Sequence, residues 1–197
     1  NCEGVLFATG RKPSLEKLSL EKAGVNSSME KIPVDIKNQT NIPNIFAIGD
    51  VTNRINLTPI AIEEGRVFSD NLFGNKDRKI SYKLVPKAVF SSPEIASVGL
   101  NESEAVEKYG ENGIEVFKTK FLPMSKSLNR KGGHCLLKLI VDVASGRIIG
   151  CHMIGENSAE IIQMASIALC VGAKKSDFDK TMALHPTISE EFVTMKT

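Results

Sequence analysis

The chain has 197 residues, 42% hydrophobic and 24% charged, which is enough apolar material for one large core or two small ones. A formal net charge of +2 sets up no global field for nucleic acid or an anionic membrane. No apolar run approaches the ~20 residues of a membrane span, so neither nucleic acid nor membrane is expected as a partner. The tightest basic groups, Lys174-Lys175 and Arg130-Lys131, read as solvated surface. Cys2, Cys135, Cys151 and Cys170 show no CxxC or CxxxxC spacing. The last three sit in apolar runs and read as buried thiols in a reducing, cytoplasmic compartment.

The chain opens on Asn1-Cys2-Glu3 and runs at once into apolar residues 5–9, which reads as a buried strand entered part-way and hence as a fragment. Residues 15–23 suggest a short helix closed by Gly24. Residues 31–44, with Pro33 and Pro43, read as loop with an extended piece at 32–36. Residues 45–48 read as a second buried strand closing on Gly49-Asp50. Residues 58–73 read as a helix, with Thr58 as N-cap, Pro59 at the first position and Gly74 as stop. Strand, loop and helix in that order are α/β in character.

After residue 80 the pattern changes. Short strands are expected at 88–90 and 96–100 around Ser92-Pro93, then a polar helix at 102–109. Residues 116–121 alternate, placing Phe117, Thr119 and Phe121 opposite Lys118 and Lys120, as in a half-buried antiparallel strand. Residues 135–142 and 147–154 flank a turn and read as a hairpin. Residues 159–171 form a helix with a narrow polar stripe of Glu160, Gln163 and Ser166, expected to be buried on its other sides. A short helix around Asp177 and a last one from about Ile188 complete an α+β second half.

Three places invite chemistry. Gly49-Asp50 ends a strand, where α/β folds bind ligands and where Asp50 could accept a bond from a sugar-like hydroxyl; a plain turn fits equally. Thr58-Pro59 opens a helix whose free N–H groups favour an acceptor or anion, or are simply capped. The third is His185-Pro186-Thr187-Ile188-Ser189-Glu190-Glu191. Histidine titrates near neutral pH, and a carboxylate nearby can hold its ring in one tautomer. Thr187 and Glu190 also have the spacing of a capping box, which would leave His185 an ordinary loop residue. His134 and His152 are less informative, and with no second histidine near His185 no metal site is expected.

Taken together, these stretches resemble the C-terminal part of the flavoprotein disulfide reductases, within them most closely the branch acting on glutathione disulfide. The matching segments are Ala8-Thr9-Gly10-Arg11-Lys12-Pro13, Ile45-Phe46-Ala47-Ile48-Gly49-Asp50-Val51 and Leu57 through Arg66. Phe121-Leu122-Pro123-Met124, Ala173 through Asp179 and His185 through Thr194 follow in family order. Ser92-Pro93 stands where some relatives carry His-Pro; the family form has a cis bond there and at His185-Pro186.

The resemblance implies an α/β remnant of a FAD/NAD(P)-binding domain followed by an α+β interface (dimerisation) domain with an antiparallel sheet and flanking helices. Residues 1–12 would end the NADPH domain, 13–83 the FAD domain, and 84–197 would be the interface domain. It implies FAD as cofactor and NADPH as cosubstrate. FAD contacts would come from Gly49, Asp50, Leu57, Thr58, His185 and Pro186. Arg66, Met124, Glu191 and Thr194 would line the site for glutathione disulfide. His185 would be the general acid, with Glu190 as its carboxylate, serving the other subunit of a homodimer. The family's redox CxxxxC and its two GxGxx fingerprints are absent from these 197 residues, so the chain by itself is expected to be inactive. A related reductase for trypanothione, mycothiol, mercuric ion or lipoamide, or a non-catalytic oligomerisation module, are the rival readings.

Overall fold

The structure is a computed structural model that describes residues 2–128 and 133–196. Asn1 and the Arg130-Lys131 pair lie outside the described residues. The chain divides into two compact units, residues 1–81 and 82–197.

In the first unit, regular structure is concentrated in one helix, α1 (Thr58–Leu72). Leu57, with extended backbone, is the N-cap; Thr58 and Pro59 therefore occupy the first two helical positions, and the helix starts one residue earlier than the sequence suggests. Proline is suited there because it has no N–H to leave unpaired. Ile60, Glu64 and Val67 form the buried stripe of α1 at helical spacing. The helix ends in an ionic cluster. Arg78 reaches Asp70 at 2.6 Å and Glu63 at 2.5 Å, while Lys76 lies 3.1 Å from Asp70. Hydrogen bonds from Arg78 and Lys76 hold the Asp70 carboxyl below its ordinary range.

Two expected strands are absent from this unit. Residues 5–9 are exposed and unpaired, with Leu6 90% accessible. Residues 45–48 contribute only one bridge, Gln39 to Phe46, and Ile48 is exposed. A strand needs a neighbour to satisfy its backbone, and no described segment supplies one to residues 5–9. The helix expected over 15–23 shortens to a 3-10 turn at Leu20–Ala23, closed by Gly24 in the left-handed conformation. A small core of Val25, Ile32 and Ala47 holds these loops.

The second unit is built on one antiparallel sheet in the order β1-β2-β5-β4-β3. Its strands are β1 (Lys87–Val89), β2 (Ile95–Gly99), β3 (Ile114–Phe121), β4 (Cys135–Asp142) and β5 (Ile148–Ile154). Alternation in β3 buries Phe117 and exposes Lys118 and Lys120, as expected. The central strands bury Leu137, Leu139, Cys151 and Met153 almost completely. Helix α2 (Glu102–Tyr109) begins in a full capping box between Asn101 and Glu104. Helix α3 (Ser158–Cys170) packs on the sheet through Ile162 and Leu169.

Helix α3 departs from expectation on both faces. Ser166 is buried, and its hydroxyl donates back to the Ile162 carbonyl at 2.6 Å. Met164 and Ile167 are exposed instead, as is Cys170. The helix is thus covered on one side and leaves an apolar flank uncovered. Helix α4 (Lys175–Lys180) and the single turn α5 (Glu191–Thr194) follow. Among the described residues no helix is long and apolar enough to cross a membrane.

Candidate functional site

In the second unit the His185 loop leads directly into α5. Glu190 stands at the N-cap of that turn, and its carbonyl accepts the N–H groups of Val193 at 2.9 Å and Thr194 at 3.0 Å. The Glu190 N–H donates to Thr187 Oγ1 at 3.1 Å, which is half of the expected capping box. The other half is spent differently. The Glu190 carboxylate lies 3.0 and 3.2 Å from His185 Nδ1. The capping reading is met only in part: the last helix starts at Glu191 rather than about Ile188, with Glu190 and not Thr187 as its N-cap, so the Glu190 carboxylate is free of the box and meets the imidazole instead.

The exposures are unequal: the His185 side chain is 70% accessible and that of Glu190 15%. A sheltered carboxylate grips one nitrogen of an open ring. Nδ1 is engaged, so Nε2 is left as the nitrogen able to exchange a proton outward. His185-Pro186 is cis, as is Ser92-Pro93. Glu191 is half-buried and Thr194 exposed on α5, while Met124 is exposed in a 3-10 turn after β3.

In the first unit the Gly49–Thr52 3-10 turn carries Gly49 and Asp50. Gly49 has φ of +73°, and a Cβ there would stand 3.0 Å from the Ala61 side chain. Only a bare backbone lets the turn approach α1 this closely. Asp50, Thr58 and Arg66 are exposed, and no side chain caps the start of α1. A glycine turn, an open carboxylate and an uncapped helix N-terminus are the donor and acceptor set that a hydroxylated, phosphate-bearing cofactor requires.

The four cysteines are all free. Burial pushes the Cys151 thiol up to about 12 and raises that of Cys135. Both are poor nucleophiles near neutral pH. Cys170, expected to be buried, is exposed.

Comparison with known proteins decides the family. Residues 85–196 match the pyridine nucleotide-disulphide oxidoreductase dimerisation domain, and residues 1–65 match the pyridine nucleotide-disulphide oxidoreductase domain. The chain belongs to the pyridine nucleotide-disulphide oxidoreductase family. It is 46% identical to a glutathione reductase of Nostoc sp., over 97% of this chain and 44% of that protein. It is 45% identical to the chloroplastic/mitochondrial glutathione reductase of Pisum sativum, over 98% of this chain and 35% of that one. Among solved structures it is similar to the HOCl-induced flavoprotein disulfide reductase RclA from Escherichia coli. The TM-score is 0.83 at 30% identity, over 95% of this chain and 43% of that one. The chain thus spans less than half the length of these relatives.

Two residues of this disulphide oxidoreductase chain escaped the sequence reading. Glu64 is buried, and its carboxylate accepts the Gly49 N–H at 2.5 Å and lies 3.9 Å from Arg54. Its signal was its place on the apolar stripe of α1, between Ile60 and Val67. Lys175, expected to be solvated, is only 8% accessible. Its one sequence signal is Asp179, four residues on, with which it forms an ion pair.

Proposed function

We propose that this chain is the C-terminal portion of a glutathione-disulfide reductase that uses NADPH and FAD. Its relatives named glutathione reductase, at 42–46% identity over nearly the whole chain, support that substrate. The observation that carries the chemistry is the Glu190 carboxylate 3.0 Å from His185 Nδ1 on an open ring.

His185 is the general acid in this reading. A thiolate from a cysteine pair outside these residues attacks one sulfur of glutathione disulfide, forming a mixed disulfide and expelling glutathione thiolate. Protonated His185 gives its Nε2 proton to that leaving sulfur. Glu190 stabilises the charged ring and, once the proton has gone, leaves the remaining one on Nδ1. A glutathione thiol titrates near ~8.5 like free cysteine, so protonation near neutral pH favours departure and suppresses the reverse attack. A positioned acid is typically worth ~100- to 10,000-fold.

When bound, FAD supplies the electrons that reduce the cysteine pair, taken in turn from NADPH. The residues of this chain fitted to it are Gly49 and Asp50, which present bare backbone and a carboxylate, and Leu57 and Thr58, which open α1. His185 and Pro186 are assigned to the FAD of the other subunit. Arg66, Met124, Glu191 and Thr194 are assigned to glutathione disulfide, with Arg66 pairing a carboxylate of the substrate. Residues 1–12 are assigned to the NADPH domain, 13–83 to the FAD domain and 84–197 to the interface domain.

The active form in this proposal is a homodimer, in which His185 serves the site of the other subunit. The dimerisation-domain match supports it. So does the apolar flank of α3, where Met164, Phe178 and Val193 line one groove. Four free cysteines fit a cytoplasmic setting.

The test is steady-state turnover of the full-length enzyme with NADPH against glutathione disulfide, trypanothione disulfide, mycothiol disulfide, lipoamide and mercuric ion. The expected result is a kcat/KM for glutathione disulfide well above the others. Preference for any other acceptor would overturn the assignment.

A further inference from the structure

We propose that Lys175 is a positioning residue that holds the last helical turn in place and, through it, the Glu190–His185 pair; this rests on the reading of that pair given above. Helix α5 has four residues, too few to be stable by its own hydrogen bonds. Its place depends on tethers. Phe192 and Met195 bury their side chains in the main core. The Met195 carbonyl, at the end of the turn, accepts from Lys175 Nζ at 2.7 Å.

The lysine is itself held from three sides. Its ammonium pairs with Asp179, lies 4.5 Å from the centre of the Phe117 ring, and reaches Met195. Its backbone N–H donates to the Gly146 carbonyl at 2.9 Å, in the turn between β4 and β5. One charged side chain therefore links the sheet, α4 and the end of α5. Met195 is joined back to Glu191 by its own N–H at 3.1 Å, and Thr194 to the Glu190 carbonyl at 3.0 Å. The path from Lys175 to Glu190 is one hydrogen-bonded helical turn. Loss of the ammonium leaves the Met195 carbonyl without this donor and a buried ring without its cation, and the turn is freed at its far end.

A merely stabilising lysine would change unfolding but not the state of the imidazole. A positioning lysine changes which ring nitrogen of His185 carries the proton. Glu190 holds the proton on Nδ1, whereas an unconstrained imidazole favours Nε2. Long-range proton–nitrogen spectra of the 197-residue chain, at a pH where the ring is neutral, report that tautomer without substrate or cofactor. Glu190→Ala, which removes the acceptor, marks the signature of the uncoupled ring. Lys175→Met is expected to move His185 toward that signature and to speed amide exchange at Met195 by about 10-fold. Lys175→Arg, which keeps charge and donors, is expected to restore part of the Nδ1–H form. Should Lys175→Met fail to fold, Asp179→Asn removes one tether and is expected to give an intermediate tautomer shift.

A wild-type tautomer in folded Lys175→Met, or in Asp179→Asn where that variant must serve, overturns the proposal. Glu190→Ala separates the two ideas. No change there would sink the pair, and the proposal with it. A change there but none on altering Lys175 would sink this proposal alone.

Discussion

Glu190 ties His185 to the loop before it: its N–H goes to Thr187 Oγ1 at 3.1 Å and its carboxylate to His185 Nδ1 at 3.0 Å. The catalytic reading makes His185 and Glu190 act as a unit, and such units are non-additive. In the full-length enzyme, Glu190→Gln is expected to lower disulfide turnover by roughly 10-fold or more and His185→Gln by ~100- to 10,000-fold. The double variant should be no worse than His185→Gln. Steady-state rates of the three variants check this, and multiplicative losses would show independent roles.

The carboxylate of Glu64 fastens the Gly49 turn to α1 from inside the first unit. Glu64→Ala leaves the Gly49 N–H without that acceptor and removes the carboxylate 3.9 Å from Arg54. The expected cost is about 1–3 kcal/mol, equivalent to roughly 5- to 150-fold faster exchange of the Gly49 amide. Glu64→Gln keeps an acceptor and should cost less. Hydrogen exchange read at Gly49 measures both, and an unchanged rate in Glu64→Ala would contradict the arrangement.

Leu139 is fully buried at the centre of β4, opposite Phe117 and Cys151 on the neighbouring strands. Leu139→Ala is expected to destabilise the second unit by about 2–5 kcal/mol through lost burial and a residual cavity. Urea unfolding followed by a probe in residues 82–196 measures it. A loss below ~1 kcal/mol would mean the sheet relaxes around the gap.

Burial lowers the titration point of His152, even though Nε2 lies 2.9 Å from the Leu100 carbonyl. The unfolded residue titrates near ~6.5. Above that, both states are neutral and His152 adds no pH dependence. As pH falls below ~6.5 the unfolded chain takes up a proton that the fold resists, so stability of the second unit falls toward acid. Asp70 in the first unit behaves as a depressed carboxylate; its contribution is complete above ~4 and is lost only below that. Between pH 7.5 and 5.5 the urea midpoint of the second unit should drop, and His152→Asn should reduce that drop. An identical slope in the variant would contradict the assignment.

Much of the second unit was legible because each signal was complete within the segment. Helix α2 carries its own start in Asn101 and Glu104, and β4 its own apolar run. Residues 5–9 have an equally apolar run, but a strand also requires a partner, which local sequence does not specify. The burial of Lys175 was hidden for a related reason: Asp179 is near in sequence, but the carbonyl partner lies 20 residues away. At His185, spacing allowed either a cap or a catalytic pair. In the structure the Glu190 N–H meets Thr187 and its carboxylate meets His185, because the helix begins three residues later than a Thr187 cap would start it. The Gly49 turn was visible, whereas Glu64 beneath it was hidden by the assumption that a glutamate on a helix faces water.

The central claim is that His185 protonates the leaving thiolate and takes no part in delivering electrons. Rapid mixing of the full-length FAD-loaded enzyme separates the two half-reactions. In His185→Gln, flavin reduction by NADPH should keep its wild-type rate, while reoxidation of the reduced enzyme by glutathione disulfide should slow by ~100- to 10,000-fold. Equal slowing of both half-reactions, or no slowing of the second, would contradict it.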